Sequence, residues 1–187
     1  MLRALAGEDV PWGSVHLFQA DERVAPAGDP DRNLTHIQES LLAPAAPPPG
    51  QIHAMPVEEA DLEAAAARYA AVLASVAGTP PVLDVVHLGL GPDGHTASLV
   101  PGDPVLEVAS ADVAPAGPYQ GRRRMTITYP VLARARSVLW VVTGAGKAEM
   151  LRRLQAGDRS IPAGRVRADR ALVLADRAAA AALAPQR

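Results

Sequence analysis

Cysteine is absent from the 187-residue chain, which excludes disulfides and thiolate-bound metals. No run of about 18 apolar residues occurs, the length a helix needs to cross a bilayer, so no membrane span is expected. A basic excess is missing too. The 18 Lys and Arg stand against 20 Asp and Glu, for a net charge of -2, and the electrostatic footprint of a nucleic-acid-binding domain is not there. The opening residues carry Arg3, Glu8 and Asp9 and lack the apolar stretch of a signal peptide, so the expected compartment is the cytoplasm. The five histidines show no His-x-x-x-His spacing, and no metal site is expected. There is no internal repeat.

What remains is the balance of a globular domain: 49% hydrophobic and 20% charged residues. Apolar runs at 15–20, 82–88 and 138–142 are short, rich in Val and Leu, and bounded by Gly, Pro or charge. Such runs suit strands of a parallel sheet covered on both faces. Residues 171–174 and the alternating stretch 124–128 are further strand candidates. Helices are expected over 33–42, 58–76, 147–154 and 176–183. The second has Leu62, Ala66, Tyr69, Leu73 and Val76 at spacings of three and four, with Gly78 and Pro80 to end it. The proline-rich 44–49 reads as a short exposed linker. Strands alternating with helices predict one α/β domain with a mainly parallel sheet and helices on both faces.

In such a sheet ligands bind beyond the carboxyl ends of the strands. After 15–20 come Asp21, Glu22 and Arg23. After 82–88 comes a glycine-rich stretch holding Asp93, His95 and Thr96. After 138–142 come Gly144, Gly146 and Lys147. Each has a plain structural reading: a solvated turn, a surface histidine, a lysine at a helix start. Together at three strand ends they predict a site for a small anionic substrate with acid–base chemistry. Two tempting motifs fail. Gly89-x-Gly91-x-x-Gly94 matches the dinucleotide fingerprint, but Asp93 would repel a pyrophosphate and Pro101 leaves room for only a short helix. Gly144–Lys147 resembles the end of a phosphate loop, but Val141 replaces its first glycine and Ala148 its magnesium-binding hydroxyl. The run Arg122-Arg123-Arg124 reads as a solvated strand start, with charge steering as the alternative.

Several segments together resemble the 6-phosphogluconolactonase family, in the superfamily of glucosamine-6-phosphate deaminase and ribose-5-phosphate isomerase. They are residues 12–23, Asn33, the Gly-Pro-Asp-Gly-His-Thr-Ala-Ser-Leu stretch ending at Leu99, residues 124–128, 144–147 and 161–163. They occur in family order. Thr96 to Leu99 favours the lactonases over the deaminases. The resemblance implies a Rossmann-like fold and hydrolysis of 6-phospho-D-glucono-1,5-lactone, with no cofactor or metal and a small sugar phosphate as the partner. It implies His95 as general base, and the backbone of 89–94 near the oxyanion. Arg23 and Lys147 would sit on the phosphate, with Asn33, Gly91, Gly94 and Thr96 around the substrate. Asp21 and Asp93 would orient His95 or hold sugar hydroxyls. Two departures are visible. The family normally starts with a further strand and a Gly-Gly-Ser/Thr-Pro phosphate loop, which are expected to be missing ahead of Met1. Arg32 stands where a Ser commonly precedes the Asn. A non-catalytic sugar-phosphate binder, or an isomerase or deaminase of the same fold, remains the alternative.

Overall fold

Each apolar run forms a strand, the first two shorter than their patterns imply, in the computed structural model, which describes residues 1–166 and 169–183. A short helix α1 (Leu2–Leu5) precedes β1 (Leu17–Phe18). The next element corrects the sequence reading: Asp21–Arg23 is a strand, β2, and not a loop. The predicted helix over 33–42 is α2 (Asn33–Ile37), which widens into a π turn over Gln38–Leu42 and continues as α3 (Ala43–Ala45). After β3 (Ile52–His53) comes α4 (Leu62–Ala77), the longest helix among the described residues. It begins later than the periodicity suggests because Asp61 caps it, accepting a hydrogen bond from the Ala64 amide at 3.0 Å. Leu62, Ala66, Tyr69 and Leu73 are buried as expected, while Val76 is exposed.

Next come β4 (Val85–Leu88), the hairpin β5 (Val113–Tyr119) and β6 (Arg122–Ile127), and α5 (Tyr129–Arg134). The chain then runs through β7 (Ser137–Val142), α6 (Ala148–Gln155) and β8 (Ala171–Ala175). The helix expected over 176–183 is only a tight turn at Ala179–Ala182. The Asp176 carboxylate accepts from the Ala179 amide and also from Gly144, so it caps a turn and ties it to the loop after β7.

Pairing divides the strands into two parallel groups, β1-β3 and β4-β7-β8, and one antiparallel group, β2-β6-β5. The parallel groups bear out the α/β expectation, whereas the antiparallel sheet was not foreseen. The core lies between these layers, with Leu73, Leu88, Leu99, Met125, Ile127 and Trp140 almost wholly buried. Coverage is one-sided on β4-β7-β8. Val86, Leu88, Val138 and Trp140 point inward, while Val85, Leu172 and Leu174 on the other face are 61%, 60% and 49% exposed. Among the described residues β4 is hydrogen-bonded on one side only, to β7. Among the described residues no helix is long and apolar enough to cross a membrane.

Candidate active site

β4 and β7 are parallel neighbours, with Leu88 opposite Trp140. Their following loops, 89–96 and 143–147, therefore open at one sheet edge. The first loop is held by its own backbone. The Gly91 amide donates to the His95 carbonyl at 2.8 Å, and the Gly94 amide to the Gly91 carbonyl at 3.1 Å. The buried Thr96 hydroxyl closes the turn onto the Gly89 carbonyl at 2.9 Å. Two glycines are required here. A Cβ on Gly91 would lie 2.1 Å from His95 Nδ1, in collision with the imidazole ring. Gly94 has φ +84° and touches Ile161 where its Cβ would be. The Ala163 amide donates to the Gly94 carbonyl, so the stretch around 161–163 buttresses the loop.

This loop presents His95 and Asp93 as a pair, with Nδ1 2.6 Å from Asp93 Oδ1. The His95 amide also donates to Oδ1, at 3.1 Å. Burial works to raise the Asp93 carboxyl, but these bonds from the His95 backbone and ring outweigh it and hold it below the ordinary carboxylate range. An ionised Asp93 accepts, so Nδ1 carries the hydrogen and Nε2 keeps its lone pair. Nε2 has no hydrogen-bond partner among the described residues. A carboxylate-oriented imidazole with an open Nε2 is the arrangement a general base requires.

The antiparallel sheet brings a second cluster. Asp21 accepts from the Ser98 hydroxyl at 2.7 Å and from Asn33 Nδ2 at 3.0 Å, and Arg124 Nη1 lies 4.0 Å away. Burial raises the Asp21 carboxyl, against the Ser98 bond and the charges of Arg23 and Arg124. Arg124 is opposite Arg23 in the β2–β6 register. Burial lowers its pKa, and so does the charge of Arg23. The charges of Arg23 and Arg124 thus both act on the largely buried Asp21 carboxylate, and the Glu22 carboxylate acts on Asp21 and Arg124 as well. The base of the cluster is Glu22, wholly buried. It accepts from the amides of Arg23, Asn33 and Leu34 and from Gln19 Nε2, at 2.7 to 2.8 Å, with Arg32 Nε at 3.3 Å. Glu22 thereby fixes where Asn33 and the start of α2 sit.

Seen residue by residue, the structure joins Asp93 to His95, and Asp21 to Asn33. Asp21 bonds Ser98, three residues beyond His95, which links the two clusters. Arg23 Nη1 donates to the Asp31 carbonyl at 2.6 Å, and its buried Nε has no partner among the described residues. Lys147 ends the tight turn before α6, its amide donating to the Gly144 carbonyl at 3.1 Å, and its side chain makes no hydrogen bond or ion pair among the described residues. Three expectations change. Thr96 is turned inward and closes its loop. The amides of Gly91 and Gly94 are already engaged, so in this conformation they do not face an oxyanion. Arg124 is no solvated residue, being 4% exposed, although Arg122 does reach the surface carboxylates of Asp29 and Asp31. Sequence reasoning missed Arg124 and Tyr119. The strand alternation over 124–128 was the available signal for the first; nothing in the sequence pointed to the second. No group of three or more His, Cys, Asp or Glu among the described residues could hold a metal ion.

Known proteins carry the same arrangement of chain. The 6-phosphogluconolactonase of Mycobacterium tuberculosis is 40% identical over 200 residues, spanning 98% of this chain and 80% of that protein. The 6-phosphogluconolactonase of Synechocystis is 39% identical over 155 residues, spanning 81% of this chain and 64% of that protein, just under two thirds of its length. The solved structure of 6-phosphogluconolactonase from Thermotoga maritima superposes with a TM-score of 0.83 at 28% identity, covering 93% of this chain and 78% of that one. The sequence profile described as glucosamine-6-phosphate isomerases/6-phosphogluconolactonase matches residues 1–174. The chain belongs to that family.

Proposed function

We infer that the chain hydrolyses 6-phospho-D-glucono-1,5-lactone to 6-phospho-D-gluconate, the second step of the oxidative pentose phosphate route. The observation that carries this is the His95–Asp93 pair with its open Nε2, in a chain whose relatives bear the name of that activity. A lactone is a cyclic ester. Water attacks its carbonyl carbon while His95 Nε2 takes a proton from that water. Asp93 holds the ring tautomer and stabilises the imidazolium that forms. The tetrahedral intermediate then collapses. The bond from carbon to ring oxygen breaks, and the proton on His95 passes to that oxygen, leaving a free hydroxyl and a carboxylic acid that ionises in water. The protein uses no metal or cofactor in this scheme.

Arg23, Arg124 and Lys147 supply charge for the substrate phosphate; arginine can engage two of its oxygens. Asp21 and Asn33 are positioned for sugar hydroxyls, with Asp21 set by Ser98. The partner is a small sugar phosphate, and the reaction is placed in the cytoplasm. This is one lactonase domain. The decisive assay feeds freshly made lactone to the purified protein and follows acid release above the spontaneous rate, with glucosamine 6-phosphate as the parallel substrate. Lactone turnover without ammonia release is expected. Ammonia release, or sugar-phosphate binding without turnover of the lactone, would replace this reading.

A further inference from the structure

The β5–β6 hairpin contains an irregularity that aims one residue at the His95–Asp93 pair. Ala116 pairs with Arg124, but the next pairing is Tyr119 with Arg122. β5 therefore has one more residue than β6 between these pairs, which is a β-bulge, and bulges re-aim side chains. The bulge is pinned from outside. Asp103 Oδ2 accepts from the Gly117 amide at 2.8 Å, and a Cβ on Gly117 would lie 2.9 Å from that oxygen. Gln120 and Gly121 then turn the chain with φ of +53° and +77°.

Tyr119 is gripped on its backbone and its face by one residue. Arg124 Nε and Nη2 donate to the Tyr119 carbonyl at 3.4 and 3.2 Å, and the guanidinium carbon sits 5.1 Å from the ring centroid. So held, the phenol donates to Asp93 Oδ2 at 3.2 Å, and the ring meets His95 edge-on at 5.1 Å and 65°. The two oxygens of Asp93 are thus divided: Oδ1 serves His95 and Oδ2 serves Tyr119. Burial and the Asp93 carboxylate raise the Tyr119 phenol, keeping it a donor at neutral pH. Among the described residues Tyr119 is the titratable group of the hairpin that contacts the pair, while Arg124 holds Tyr119 and leads on to Asp21.

We propose that Tyr119 is a positioning residue for the reaction, fixing the Asp93 carboxylate through Oδ2 so that His95 presents Nε2 to the attacking water. The proposal rests on the reading of His95 as general base. It requires the hydroxyl and not only the ring. A donor on Oδ2 draws charge from Asp93 and weakens its hold on the imidazolium. Removing the hydroxyl lets Asp93 stabilise the imidazolium more strongly, while loosening its orientation.

The test compares Tyr119→Phe, Asp93→Asn, the double variant and His95→Ala in kcat, KM and the pH profile of kcat/KM. Tyr119→Phe should lower kcat by about three- to ten-fold, the scale of one hydrogen bond, with KM nearly unchanged. Its acid limb should move to higher pH. In the Asp93→Asn background the same change should have little further effect, because the two residues act as a unit. Wild-type kcat and an unmoved acid limb in Tyr119→Phe, beside an inactive His95→Ala, would overturn the role of Tyr119 and leave the base assignment standing. Additive losses in the double variant would also overturn it. Wild-type turnover in His95→Ala would overturn both.

Discussion

The two sheets that meet at the site build their halves by opposite means. The parallel β4-β7-β8 group contributes loops: apolar strands run beneath, and glycines at their ends let His95 and Lys147 stand beyond the sheet edge. The antiparallel β2-β6-β5 group contributes side chains from the strand bodies, with Asp21, Glu22 and Arg124 embedded in the ladder itself. The first half is held by apolar burial and leaves one face open. The second is held by a dense polar network in which Glu22 alone satisfies four donors. Damage to the two halves should therefore look different: loss of folding in the network, and loss of chemistry or of solubility in the loops and the open face.

The largest effect is expected at Glu22. Glu22→Ala leaves Arg32, 3% exposed, without its buried partner and frees two amides at the start of α2. Breaking a buried, hydrogen-bonded ion pair from one side costs about 3–5 kcal/mol. Chemical denaturation should show that loss, and a change below about 1 kcal/mol would mean the network is not what holds this half. Gly91→Ala should instead spare folding and strike chemistry. Its Cβ would collide with the His95 ring, and displacing the base should cost about 100-fold in turnover, read alongside a melting curve. Retained turnover would mean that His95 relocates without consequence.

Asp21→Asn separates function from stability in the polar half. Burial raises the Asp21 carboxyl in the folded protein, so the folded state binds that proton more tightly than the unfolded chain. Ionising Asp21 therefore costs stability. The penalty is complete above the raised folded pKa and disappears as pH falls below the ordinary carboxyl value of 3.8. The variant should melt higher than wild type at neutral pH, converge with it in acid, and turn over more slowly. A lower melting temperature at neutral pH would contradict that assignment. The smallest effect belongs to the open face. Leu172→Ser or Val85→Lys should change stability by less than about 0.5 kcal/mol and reduce self-association. Leu88→Ala, on the covered face of the same sheet, should cost about 2–5 kcal/mol. Equal costs on the two faces would mean that the open face is covered in solution.

The parallel half was legible in the sequence, because apolar runs with glycine-rich ends announce strands and the loops beyond them. The antiparallel half was not. β5 holds Pro115, Gly117 and Pro118, which argue against a strand, and an edge position in its sheet is what tolerates them. β2 consists of three charged residues, which read as a solvated turn until Glu22 is seen sealed by its own donors. Arg124 was hidden in a run of three arginines of which it alone is buried. The alanine-rich 176–183 promises a helix, yet the structure has only a tight turn at Ala179–Ala182, which Asp176 ties to Gly144. The site itself was half visible: His95, Asp93, Asp21 and Asn33 could be chosen from the sequence. The pairing of each aspartate came only from geometry, as did Tyr119 at the bulge.

The most direct test of the account is lactone turnover by His95→Ala, measured across pH with the spontaneous hydrolysis subtracted and the fold checked by its melting curve. The account predicts a folded protein whose turnover has fallen by about 100-fold or more. Wild-type turnover in that variant would contradict it.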